Sequence, residues 1–232
     1  LVIDSSCSFI GNTAGALSVS VDGSLTVTNI KNKAAVSGTY NVGGFIGYAG
    51  GLEQPNVMAF EDCVNNGNID ASKEYAGGFV GVILSRFNMT ITTSNCINNG
   101  IITGSRNSVG GFVGFISNNH KMTVAFFNSI NNGNIGVYSY DIGGFIGGIR
   151  NDRDMTMTIV NSTNNGDLCG TRGNRGGFIG SIYSGPNMTI AISNSISNGN
   201  VTSSESTCVG GFIGITYGSK SITVTISNCT NN

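Results

Sequence analysis

Tryptophan is absent, proline occurs only twice and histidine once, and just 10% of the 232 residues are charged. Each scarcity excludes something. So few charges, with a net of −1, leave no electrostatic footprint for nucleic acid or an anionic membrane surface. No apolar run approaches the ~20 residues that span a bilayer, so membrane insertion is not expected. A single histidine, His120, with no acidic residue near it in sequence, and no Cys-x-x-Cys spacing leave neither zinc nor any other cofactor in view. The opening LVIDSSCSFIG has neither an initiator methionine nor the layout of a signal peptide; a mature product or a section of something longer is expected.

What is abundant is glycine, 36 residues, amid Asn, Ser, Thr, Ile and Val: a vocabulary of strands and turns. The triplet Gly-Gly-Phe begins at Gly43, Gly77, Gly110, Gly143, Gly176 and Gly210, in steps of 33 or 34 residues. Each unit reads GGF[IV]G, a variable loop, an alternating strand, a block such as VNNGNI, and a second variable loop. In the alternating strand one face carries Met58, Met89, Ile91, Met122, Val124, Met155, Met157, Met188 and Ile190, and the other is largely threonine, as at Thr90, Thr92 and Thr156. Period two with one apolar face is a half-buried strand.

Three strand-like blocks per unit and no helical periodicity imply an all-β fold, a right-handed parallel β-helix (β-solenoid) with one 33–34-residue rung per turn. Coils stacked about 4.8 Å apart turn alignment columns into spatial columns. Phe45, Phe79, Phe112, Phe145, Phe178 and Phe212 are then expected to stack inside. The pairs Asn65/Asn66, Asn98/Asn99, Asn131/Asn132 and Asn164/Asn165 are expected to form corner ladders in left-handed backbone, with Gly67, Gly100, Gly133, Gly166 and Gly199 finishing the bend for the same steric reason. A six-bladed β-propeller shares the six-fold repeat, but it needs antiparallel hairpins and no two-residue turn recurs at a fixed offset. The chain reads as one domain, residues 1–232, with divergent rungs over 1–42 and six repeats over 43–232, the last incomplete. AGALSVS takes the Gly-Gly-Phe role and NIKNKA the asparagine-corner role in the divergent part, and neither end has a polar, charged cap.

The GGF[IV]G core, as in VGGFIGITYG and AGGFVGVILS, resembles the GLUG-type repeat of large bacterial and protozoan surface proteins, with phenylalanine where that family usually has leucine. CSFIGNTAGAL is similar to the signatures of polymorphic outer-membrane-type β-helices. The resemblance implies an extracellular or cell-surface β-helical stalk, adhesin or filament segment and brings over no catalytic residue.

Alone, Gly110–Gly114 could cradle a phosphate, but no helix start or Lys partner follows and six regular copies make it packing. Cys63 and Cys96 share a column and are disulfide candidates; Cys169 and Cys208 are a second candidate pair; Cys229 and Cys7 are candidates for a bond between stacked copies. The plainer reading makes all six small buried residues, because serine fills the same column at Ser129, Ser162 and Ser195. Sequons fall at Asn88, Asn161, Asn187, Asn200 and Asn228. Asn88 and Asn187 sit beside a variable loop, whereas Asn161 and Asn228 are expected to face inward at a corner. Parallel β-helices can also present acidic grooves to sugars. The densest charge, Arg150 to Asp154, with Asp167, Arg172 and Arg175 one rung on, is the candidate for a small sugar or ion site, and its plainer reading is a solvated loop cluster. The expectation carried forward is a non-enzymatic extracellular structural protein that stacks head to tail on itself as a filament, with an adhesin stalk or carbohydrate-binding β-helix as the alternative and glycans or a host surface as further partners.

Overall fold

A computed structural model describes the chain apart from residues 52–55, 105, 139, 206, 207, 219 and 220. It is all-β, with no helix among the described residues, and every strand pair is parallel. Parallel pairing excludes the propeller, whose blades are antiparallel. The fold is a β-solenoid of about seven rungs, and each rung contributes one strand to each of five sheets. In one middle rung these strands are Ile97–Asn98, Ile102–Gly104, Ser108–Gly110, Val113–Asn118 and Met122–Phe127, referred to below as the first to fifth sheets. The three strand-like blocks expected from sequence thus become five. The NNGNI block spans the first sheet and the start of the second, and GGF[IV]G bends the chain between the third and fourth.

Register is one rung per step throughout: Met89 pairs with Met122 and Met122 with Met155, Gly77 with Gly110 and Gly110 with Gly143. The divergent part keeps it, since Gly15 pairs with Gly43 and Asn32 with Asn65. The main core lies between the fourth and fifth sheets, where the phenylalanine column meets the Met, Ile and Val column. Consecutive rings sit 4.9, 4.8, 4.9, 4.7 and 5.4 Å apart from Phe45 to Phe212, close to the spacing of the strands themselves. A smaller apolar core, built on Ile69, Ile102, Ile135 and Leu168 against Ala76, Val109 and Ile142, lies between the second and third sheets.

A wall of buried asparagine crosses the interior at the first sheet. Asn32, Asn65, Asn98, Asn131 and Asn164 are fully buried. Each of the first four donates Nδ2–H to the Oδ1 of the next at 2.8–2.9 Å. Each amide also caps its own corner, as Asn98 Nδ2 does on the Gly100 carbonyl at 3.2 Å. Opposite Asn65, Asn98, Asn131 and Asn164 is the second glycine of a triplet: a Cβ on Gly78 would fall 2.5 Å from the Asn98 amide carbon and 2.2 Å from the Gly111 carbonyl oxygen. The glycine is there so that an amide can be.

Two expectations about the corners are corrected. The left-handed residues are not the paired asparagines. Apart from Asn187, with φ of 61° before a fifth-sheet strand, they are the column Asn29, Asp62, Asn95, Asn128, Asn161, Asn194 and Asn228, with φ of 49–55°, where the chain turns within two residues from the fifth sheet into the first. Asn and Asp tolerate that conformation best after glycine. Gly67, Gly100, Gly133, Gly166 and Gly199, in turn, do not have positive φ; they are glycine because the preceding rung is too close, a Cβ on Gly100 lying 2.0 Å from the Gly67 oxygen.

Candidate functional site

The left-handed corner column faces solvent. Asn95, Asn128 and Asn161 donate to the side-chain oxygen one rung below, beginning at Asp62, over 3.1–3.3 Å. Asn161 and Asn228 are therefore exposed, and the expectation that they point inward is corrected: the inward amides belong to the neighbouring ladder, three residues on. Asn88, Asn187 and Asn200 are exposed as well, so all five sequons lie on the outside.

None of the six cysteines is disulfide-bonded. Cys63 and Cys96 share one column as expected and are wholly buried, the Cys63 N–H donating to Cys96 Sγ at 3.4 Å. Hydrogen bonding to the Cys96 thiol lowers Cys63 to about 7, whereas the Cys63 thiol and then burial push Cys96 up. The column continues with serine doing the same work. Ser129 Oγ accepts from the Cys96 N–H and donates to the Phe127 carbonyl, as Cys96 Sγ donates to the Ser94 carbonyl. Neither of the other two candidate pairs shares a column. Cys169 is in the second sheet, paired with Thr202, and Cys208 in the third, paired with Asn174; Cys7 immediately precedes the first strand of the second sheet, whereas Cys229 sits in the column of Ser195.

The charged candidates disperse over three corners. Arg150–Asp154 spans the turn between the fourth and fifth sheets, where Arg150 and Asp152 pair loosely at 3.9 Å, both exposed. Asp167 lies before the second sheet, accepting from the Asn200 N–H; Arg172 lies between the second and third, and Arg175 is within the third-sheet strand Asn174–Gly176, in the column of Ile142 and Val209. His120 stacks on Phe87, one rung below, at 5.9 Å. Among the described residues no three His, Cys, Asp or Glu side chains converge on a metal-sized site.

What sequence reasoning missed is a cleft built by four successive rungs at the corner between the second and third sheets. Arg106, Tyr138, Tyr140, Thr171, Arg172 and Glu205 line a volume of about 420 Å³. Arg172 Nε donates to Glu205 Oε2 at 2.9 Å. Below them Arg175 is fully buried; it donates to the carbonyls of Gly173 and Arg172 and to Ser203 Oγ. Burial pulls its guanidinium below the usual arginine range. The signal in the sequence was weak, because these side chains are about 33 residues apart and differ in type; only the register collects them.

The ends of the stack are the other unpaired surfaces. In the last rung Val209, Val224 and Ile226 are 40–49% exposed, although their counterparts inside the stack, such as Ile190 and Ile192, are fully buried. At the opposite face Leu17, Val21, Leu25, Val27 and Ile30 line an open recess of about 500 Å³.

No family model and no curated protein matches the chain, so the GLUG-type resemblance rests on the quoted motifs alone. Among solved structures it is similar to a Bacteroides ovatus protein provisionally named an immunoglobulin A1 protease, known from a 1.30 Å crystal structure. The two share 18% identity with a TM-score of 0.51, over 90% of this chain and 68% of the other. At that identity the likeness is one of fold.

Proposed function

We propose that this protein is a non-catalytic structural rod of the extracellular space or cell surface, and that copies extend it by stacking head to tail. The observation that carries the reading is the repetition itself: every rung presents the same five strand edges and the same apolar columns that its neighbour covers, so any unit that keeps the register can extend the stack. Such faces complement each other in a stack that need not close. The outward sequons and the long polar Asn and Thr columns support an extracellular setting. Further rungs of a longer polypeptide would cover the faces equally well, which is the stalk reading.

Sedimentation velocity and negative-stain microscopy of the purified 232-residue chain test the proposal. Rods that lengthen with protein concentration, and that Val224→Lys with Ile226→Lys returns to monomers, are the expected result. A monomer that persists at high concentration would sink self-stacking and leave the stalk.

A further inference from the structure

We infer that the cleft of Arg106, Tyr138, Tyr140 and Arg172 binds an acidic saccharide, a sugar bearing a carboxylate. Its volume of about 420 Å³ lies in the range of small-ligand sites. Two large aromatic side chains stand in it with 76% and 59% of their surface in water, Tyr138 and Tyr140. An exposed tyrosine pair gives the apolar C–H face of a sugar ring a surface to lie on, while both hydroxyls stay wet.

The charge in the cleft is unbalanced. Arg172 is paired with Glu205, but among the described residues no carboxylate lies within ion-pairing distance of Arg106 or of the buried Arg175. Among the described residues Arg175 is compensated only by two carbonyls and a hydroxyl, and its Nε has no partner. A guanidinium held away from water without a counter-ion leaves a positive field over the loop above it. Asp141, the nearest carboxylate in sequence, accepts from the Asn174 amide at 2.8 Å and does not line the cleft.

The floor is fixed before any ligand arrives. Gly173 has φ of +89°, and a Cβ there would collide with the Tyr140 carbonyl, so the Arg172 loop lies directly on the Tyr140 backbone. The Asn174 N–H donates to that same carbonyl, and the Glu205 N–H to the Thr171 carbonyl at 2.8 Å. Fixed loops lower the ordering cost of binding.

The mixture of groups selects the ligand. Arg106 and the field from Arg175 take a carboxylate, and the tyrosines take a ring face. Glu205 and the Thr171 hydroxyl take sugar hydroxyls. A bare anion would find Glu205 repulsive, and a nucleic acid would need a run of phosphate contacts that a chain of net charge −1 does not supply.

Isothermal titration calorimetry of the full chain tests the assignment with two acidic probes, trigalacturonate and sialyllactose, each beside its neutral counterpart, galactotriose and lactose. Saturable binding of at least one acidic probe below millimolar concentration is expected, with its neutral counterpart weaker by roughly tenfold or more. Arg106→Gln and Tyr138→Ala, both at exposed positions, are each expected to weaken it by about tenfold, with an unchanged circular dichroism spectrum. Asp152→Asn, at another corner, serves as the control and is expected to leave it unaltered. The assignment is overturned if neither acidic probe saturates, if acidic and neutral probes bind alike, or if Arg106→Gln binds as the parent does. Because the cleft is on the side of the stack, these outcomes do not depend on end-to-end association.

Discussion

Two asparagine ladders run side by side up the same corner, one dry and one wet, and they give a comparison in which the chemistry is held constant. Asn98 accepts from Asn65 and donates to Asn131 and to the Gly100 carbonyl, all in the buried wall. Asn99, its chain neighbour, donates to Asn66 and accepts from Asn132 in solvent, each at 2.8 Å. Asn98→Ala removes three hydrogen bonds at about 1 kcal/mol each and strands a buried amide or carbonyl at about 1–3 more, for a loss of roughly 4–6 kcal/mol. Asn99→Ala loses two bonds that water replaces, so its cost is below about 1 kcal/mol. The molecule contains the reverse experiment. Ser197 occupies the buried column one rung above Asn164; its hydroxyl has no partner among the described residues, and it interrupts the ladder before Asn231. Ser197→Asn, facing Gly177 as the other ladder amides face theirs, is expected to add roughly 1–2 kcal/mol. Urea unfolding followed by far-ultraviolet circular dichroism reads all three, with the slopes compared because a stacked repeat can lose rungs singly. If Asn98→Ala costs no more than Asn99→Ala, burial is not what makes the ladder matter, and the account of the wall is wrong.

Gly78→Ala is expected to cost at least about 3 kcal/mol, because the added methyl meets backbone and the Asn98 amide at once, whereas Gly136→Ala, whose Cβ would meet nothing, should be neutral or slightly stabilising in the same assay. Asp141 is held above the ordinary carboxylate range, mainly by burial. The folded state therefore keeps its proton longer than the unfolded state, and this residue's contribution to stability falls as pH rises from the ordinary aspartate range through the raised value. Asp141→Asn should flatten that part of the stability–pH profile and raise the urea midpoint at pH 7; an unchanged profile would show that the burial is not felt.

The stacking of equivalent residues was legible because period and register are the same fact in a solenoid: a column of phenylalanine 33 residues apart has one place to go. The fifth-sheet strand was legible from its Met and Thr alternation, and NIKNKA was recognisable as an asparagine corner because Asn32 keeps the ladder spacing to Asn65. The left-handed turn was misplaced by a few residues, although its signal was present as the unbroken Asn/Asp column from Asn29 to Asn228. Paired asparagines drew attention away from the single one that makes the turn. The short second- and third-sheet strands went unseen because three residues are too few for an alternation to register. The cleft was hidden for a different reason. It is assembled from residues that vary between rungs, so the regularity that discloses the scaffold says nothing about it.

The two ladders also differ in direction. Inner amides donate toward the C-terminal rungs, as Asn98 does to Asn131, and outer amides toward the N-terminal rungs, as Asn132 does to Asn99. Their dipoles oppose, so the corner accumulates little net moment however many rungs are added. Wherever the stack is opened, one face shows inner donors beside outer acceptors and the other shows the reverse. Joined in the same sense, every amide finds its complement; joined back to back, donor meets donor and oxygen meets oxygen. A rod with this corner has a compass written into its side chains, one that tells an added rung which way is up.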